Sequence, residues 1–323
     1  QNPNRPLDIK EVASQFNKNL QEAPFIDGLK DTSISHIHLG KLHGSSAAVA
    51  FAGIYNVQPA KYVIVLRDKE EAAYFYNDLG KILPDQQVFF LPSSYKQSLS
   101  NKDGLQYDSG NLIMRTEVLS HFTHAAPGIY VSYPQAVQEK VLPAEQLQRN
   151  TITFTTGEDV DMDFVAEVLD TYKFKKVDFV YEPGQYAIRG SILDIFSYAH
   201  EDPFRVDFFG DEVESIRTFD PANQLSRAKF EQISVVPNLQ EVSQQQEHVS
   251  LFSYQKEALI AGFRDYASFI ADAQNHYDKQ DEQIQGLLSH PKDLAGFAKD
   301  LTTIEVSGNP RISVTHSVSS NTK

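Results

Sequence analysis

The sequence predicts a multidomain protein that joins a parallel α/β domain to an antiparallel α+β domain. Three observations carry this. At 323 residues the chain is too long for one compact core. Between residues 34 and 141, short apolar runs alternate with helical stretches long enough to serve as crossovers. Between Tyr186 and Asp220 the pattern changes to strands of two-residue period around a Gly210-Asp211-Glu212 turn.

Taken in order, Ile9, Val12, Phe16 and Leu20 lie at helical spacing and predict an amphipathic helix over 1–30. Strands are expected at 34–39, 62–66, 88–90 and 129–132, with helices at 46–55, 70–83 and 112–122. Leu91 to Gly110 is polar and loop-like, and Pro143 to Asn150 reads as a linker. A strand at 151–154 and a helix at 161–172 follow. Asp159 or Asp161 caps that helix, and Phe164, Val165, Val168 and Leu169 form its buried stripe. Val177 to Tyr181 begins a sheet, which Pro183-Gly184-Gln185 turns toward Arg189. In the next strand Phe204, Val206 and Phe208 share one face, while Arg205, Asp207 and Phe209 share the other. Val213, Ser215 and Arg217 then alternate against Glu214, Ile216 and Thr218. Beyond Pro237, a Gln-rich connector at 240–247 precedes a mostly helical stretch, 251–290, and an edge strand within 312–318. The expected divisions are 1–146, 147–237 and 238–323.

Composition narrows the function. Hydrophobic content of 41% with 22% charged residues is ordinary for a soluble globular protein. The absence of cysteine excludes disulfides and thiolate metal sites and fits a cytoplasmic protein. No apolar run approaches a membrane span, and the opening on Gln1 reads as a piece of a longer protein. Net charge is −14, and residues 147–237 hold 9 Lys/Arg against 17 Asp/Glu. Non-specific DNA binding draws on a basic field, so little direct DNA contact is expected. Arginines on an acidic background point instead to a specific protein contact, and Arg205 beside Phe209 has the composition of a binding hot spot.

No nucleophile triad or Gly-rich dinucleotide loop is visible, and no catalytic residue is expected. His36 and His38 share a strand face, but zinc needs a third ligand and neither they nor His43 has an acid nearby in sequence. No metal site is expected there or at His121 and His124. Asp207, Asp211, Glu212 and Glu214 surround a tight turn, where acids are favoured by solvation and turn geometry.

The order RGSILDIF, a short spacer, then FRVDFFGDEVESIRTFD resembles domain 2 of bacterial excision-repair proteins related to UvrB. It is similar both to UvrB helicases and to the UvrB-homologous N-terminal region of transcription-repair coupling factors. The likeness extends more weakly over about residues 36–237. It implies that this module docks onto the ATPase UvrA, with Arg189, Arg205 and Phe209 at the contact. It further implies a second α/β subdomain after domain 2, packing back on the first.

The two relatives differ at the phosphate loop, where a helicase needs a lysine for the phosphates and a hydroxyl for magnesium. The corresponding segment here runs through Gly44, Ser45, Ser46, Ala47 and Ala48, with alanines at those two positions. Lys41 precedes the turn, on the wrong side of it. Tyr95 and Tyr107 are too isolated to form the DNA-clamping hairpin of UvrB. The resemblance therefore favours the coupling-factor type: a degenerate nucleotide site, no cofactor in this region, and ATP and magnesium confined to a motor elsewhere in the parent protein. RNA polymerase and DNA would be engaged by other regions. The rival is a UvrB-type, ATP-dependent DNA-loading helicase.

Overall fold

The computed structural model of the protein describes residues 34–40, 42, 44–84, 87–95, 108–123, 126–238, 248–254, 259–306 and 313–316. The expected helix at 1–30, Lys41, His43, Tyr107, His124 and the 240–247 connector lie outside these residues. The chain forms two compact units, one from the segments up to Ser93, His124–Lys140 and Ser250 onward, the other from Ser94–Thr123 and Val141–Val249.

The first unit is built on a seven-stranded sheet. Its strands are β1 (Ile34–Leu39), β2 (Lys61–Val65), β3 (Val88–Phe90), β4 (Gly128–Ser132), β13 (Leu259–Phe263), β14 (Thr302–Val306) and β15 (Ser313–His316). Their spatial order is β15-β1-β14-β13-β2-β4-β3, parallel except for the antiparallel edge strand β15. Lys61 to Val65 is buried throughout, which is why these strands read as unbroken apolar runs. Ile37, Leu39, Ile64, Val131, Ile304 and Val306 pack in one core with helices α1 (Ser46–Val57) and α2 (Lys69–Ile82). Asp68 caps α2 by accepting from the Glu71 N–H at 2.8 Å. The stretch 251–290, expected to be mostly helical, carries helices at 266–278 and 282–286, but LIAGF (259–263) is a strand paired on both sides. Five consecutive apolar residues fit a central parallel strand as well as a helical turn, and pairing decided between them.

In the second unit, α3 (Met162–Thr171) packs against an antiparallel sheet of β7 (Gln185–Arg189), β8 (Ile192–Ile195), β9 (Phe204–Phe209), β10 (Glu212–Phe219) and β11 (Ser226–Phe230). A short β6 (Lys175–Lys176) joins β7 in parallel, and β5 (Ile152–Thr155) pairs separately with β12 (Gln232–Val235). Asp161 is the helix cap, accepting from the N–H groups of Asp163 and Phe164 at 2.9 and 3.1 Å. Val165 and Leu169 are buried, with Tyr186, Leu193, Ile195, Phe204, Val206, Phe208, Val213 and Ile216, in one core.

Four local expectations are corrected here. Phe164 is 64% exposed, because Met162, Val165, Ala166 and Leu169 make the inward stripe and Phe164 lies off it. The 143–150 linker contains a helix, Ala144–Arg149. Val177 to Tyr181 is not a strand; pairing begins at Lys175. In β10 a register shift between Val213 and Ser215 buries both Val213 and Ile216, so strict alternation fails.

His200 lies edge-on to Phe204 at 4.7 Å, with Nε2 3.2 Å from the Ser234 carbonyl. Burial is the main cause that pushes its pKa below the ordinary value; nearby His121 acts in the same direction and the Ser234 bond opposes them. The folded chain therefore binds fewer protons than the unfolded chain as pH falls through about 6.5. Stability from this group is full above that pH and is lost below it. Unfolding free energies from urea denaturation taken from about pH 7.5 to about pH 5.5 should fall, by less than about 1.4 kcal/mol per pH unit from this residue. His200→Gln should flatten the slope, and an unchanged slope would remove His200 from the account.

Candidate protein-docking face

The face of the antiparallel sheet opposite its core carries the charged residues that the two-residue period predicts. Cross-strand register places Arg217, Arg205, Asp194 and Ala187 in one row and Ser215, Asp207, Ile192 and Arg189 in the next. Two tight turns keep this register. Arg189 pairs with Ile192 across Gly190-Ser191, and Phe209 pairs with Glu212 across Gly210-Asp211. Gly190 and Gly210 have φ of +60° and +65°, the left-handed first position of a two-residue hairpin turn that glycine fills without a Cβ clash.

Asp194 is the hub. Its residue is fully buried, at 0% exposure. Arg205 donates to it through Nε at 2.6 Å and Nη2 at 2.8 Å, the two-pronged arrangement that suits a guanidinium and a carboxylate. Arg189 donates to the same carboxylate through Nη2 and to the Asp178 carbonyl through Nη1 at 2.6 Å. Arg205 is further fixed by Gln224 Oε1 at 3.0 Å and by the Phe219 ring, 4.4 Å from the guanidinium carbon. The bond to Asp194 is the first cause holding the Arg205 pKa above its ordinary value. Arg217 pairs with Asp207, which also accepts from Ser215 Oγ at 2.7 Å.

Arg205 and Phe209 do share this face, but their roles differ. The Arg205 side chain is only 14% exposed and is tied into the sheet, whereas Phe209 is 78% exposed at the end of β9. Arg189 lies between these extremes at 36%. Its guanidinium sits 5.1 Å from the Phe179 ring centroid. Phe179 and Tyr181, 49% and 57% exposed, flank the fully buried Val180, which packs with Ala187, Phe196 and Phe219. Gln185 Oε1 accepts from the N–H groups of Tyr181 and Glu182 at 2.9 and 3.1 Å. The segment is thus pinned while its two aromatic rings project. A shallow cleft lined by Lys176, Val177, Asp178, Phe179, Ile188 and Arg189 opens beside them. Sequence reasoning treated 177–181 as strand and missed these rings. The signal was three aromatic positions (Phe179, Tyr181 and Tyr186) around a Pro-Gly turn.

The segment Gly44 to Ala48 lies in the first unit. Gly44, Ser45 and Ser46 are exposed at the start of α1, and Ser45 makes no side-chain cap. Ala47 and Ala48 are buried in the core, at 3% and 0% exposure. Arg264, following β13, donates from Nη1 to the Leu42 carbonyl at 3.2 Å and lies 3.3 Å from Glu71 through Nε. Glu71 also accepts from Arg67 at 3.0 and 3.2 Å. At the carboxyl ends of β2 and β13 a separate crevice, lined by Val65, Arg67, Pro134 and Arg264 and by none of residues 44–48, has a volume of about 10 Å³. That is room for about one water.

Removing the Asp194 charge should be costly, because two guanidiniums then lose their buried partner. Asp194→Asn is expected to lower unfolding stability by about 3–5 kcal/mol. Urea denaturation measures this, and a loss below about 1 kcal/mol would show that the hub is dispensable.

Comparison with known proteins places these observations. Residues 152–240 match the UvrB interaction domain family. The chain is 28% identical over 204 residues to the transcription-repair-coupling factor of Escherichia coli, covering 62% of this chain and 17% of that protein. It is 25% identical over 256 residues to that of Bacillus subtilis, covering 79% and 21%, and 30% identical over 216 residues to that of Myxococcus xanthus, covering 65% and 17%. The chain therefore spans only 17% to 21% of the length of these relatives. The charged sheet lies within residues 152–240, which match the UvrB interaction domain family, in a chain similar to transcription-repair-coupling factors.

Proposed function

We propose that this chain is a non-catalytic, cytoplasmic recruitment region that docks UvrA through the outer face of the antiparallel sheet. It serves a transcription-coupled nucleotide excision repair factor acting at stalled RNA polymerase, whose motor and polymerase contacts lie in other regions. The observation that carries this reading is the projecting Phe209 beside an arginine pair held by buried Asp194, inside the matched domain. Rigid aromatic rings next to ordered arginines are the residues on which protein interfaces concentrate their energy. Three arginines against two aspartates leave this face locally positive within an acidic domain, which suits an acidic patch on the partner. Nη1 of Arg205 and Nε of Arg189 donate to no described residue, and these donors are available for such a contact.

Calorimetric titration against UvrA tests this. Phe209→Ala should weaken binding at least about tenfold with no change in melting temperature, since the ring is 78% exposed. Arg205→Ala should reduce both binding and stability, because it also strips Asp194. Equal affinity in the Phe209 variant would remove this face from the interface.

The nucleotide site is read as vestigial. The buried alanines and the Arg264 contacts to Leu42 and Glu71 support this, and they tell against a UvrB-type DNA-loading helicase. Magnesium-ATP titrated into the chain should produce no saturable heat. Saturable binding at micromolar concentration would restore the helicase reading.

A further inference from the structure

His36 and His38 acquire in the fold the third ligand that they lack in the sequence. In β1, Ile37 and Leu39 enter the core, and the pleat sends His36 and His38 to the opposite face. β14 runs parallel in register, with Thr303 opposite His36 and Glu305 opposite His38, while Ile304 and Val306 enter the same core. Glu305 Oε2 lies 3.7 Å from His36 Nε2 and 3.9 Å from His38 Nδ1. One ligand atom from each residue lies within 4.8 Å of the others.

These separations are too long for hydrogen bonds and nearly equal. They resemble the spacing of donors around a common centre. Donors at about 2.0–2.2 Å from a tetrahedral zinc stand about 3.4 Å apart, so a contraction of about half an ångström would bring both His–Glu separations to that spacing. His36 Nδ1 is 2.6 Å from Thr303 Oγ1. The tautomer that donates there leaves the Nε2 lone pair directed at Glu305, the arrangement by which an outer hydrogen bond orients a metal-binding imidazole. The three side chains are 34%, 17% and 22% exposed, sheltered yet reachable.

We infer that His36, His38 and Glu305 form a binding site for one borderline divalent transition-metal ion, zinc foremost. Two imidazoles and one carboxylate suit zinc, cobalt(II) or nickel(II), whereas calcium and magnesium require more oxygen ligands. Three protein ligands leave a coordination position for water or a further ligand. The ion ties β1 to β14 across the sequence and stabilises the first unit by mass action.

The test uses the tag-free chain, cleared of metal by chelator. Equilibrium dialysis should show one zinc per chain at micromolar concentration, accompanied by a raised melting temperature. His38→Ala and Glu305→Gln should each weaken binding at least about tenfold while the metal-free melting temperature stays near that of the parent. X-ray absorption of the zinc-loaded parent chain should show two imidazoles and one carboxylate, a readout that does not depend on the variants folding. Absence of stoichiometric zinc, equal affinity in both variants, or a zinc shell with fewer than two imidazoles would each overturn the assignment.

Discussion

A carboxylate buried without water must be matched by charge, and Asp194 imposes that requirement on the whole antiparallel sheet. It is answered from β9 by Arg205 and from β7 by Arg189. Three adjacent strands are thereby locked in one register. The consequences reach the surface: with the two arginines fixed, Phe209 projects at the end of β9 and Phe179 lies against Arg189 at the end of β7. The order of this face lies in the ion pairs beneath it. Little conformational entropy then remains to be lost when a partner arrives.

The first unit shows a related economy. A parallel sheet ends in a crevice where ligands ordinarily bind, but here Arg264 bridges the loop before α1 and Glu71 on α2. A guanidinium satisfied by a backbone carbonyl and a carboxylate stabilises the closed crevice as packing.

The sequence showed the outer and inner faces of β9, because two-residue alternation survives wherever pairing is regular. It failed in β10, where one extra residue between Val213 and Ser215 shifts the phase. It also failed at LIAGF, which is too short for periodicity to separate strand from helix. At the candidate site, the position of Phe209 was legible but the tethering of Arg205 was not. An acid inside the apolar run Ile192-Leu193-Asp194-Ile195 was the available signal, since such a carboxylate requires a cation. Glu305 had no sequence signal at all. It meets His38 only because β14 follows two long excursions of the chain and returns beside β1.

The central claim is that one ordered face of the second unit receives UvrA. Hydrogen exchange of the chain with and without UvrA tests it most directly. Added protection is expected in 177–182, 189–194 and 205–210, with the first-unit segments 44–57 and 259–266 unchanged. Protection confined to those first-unit segments, or none anywhere under conditions where a complex forms, would contradict it.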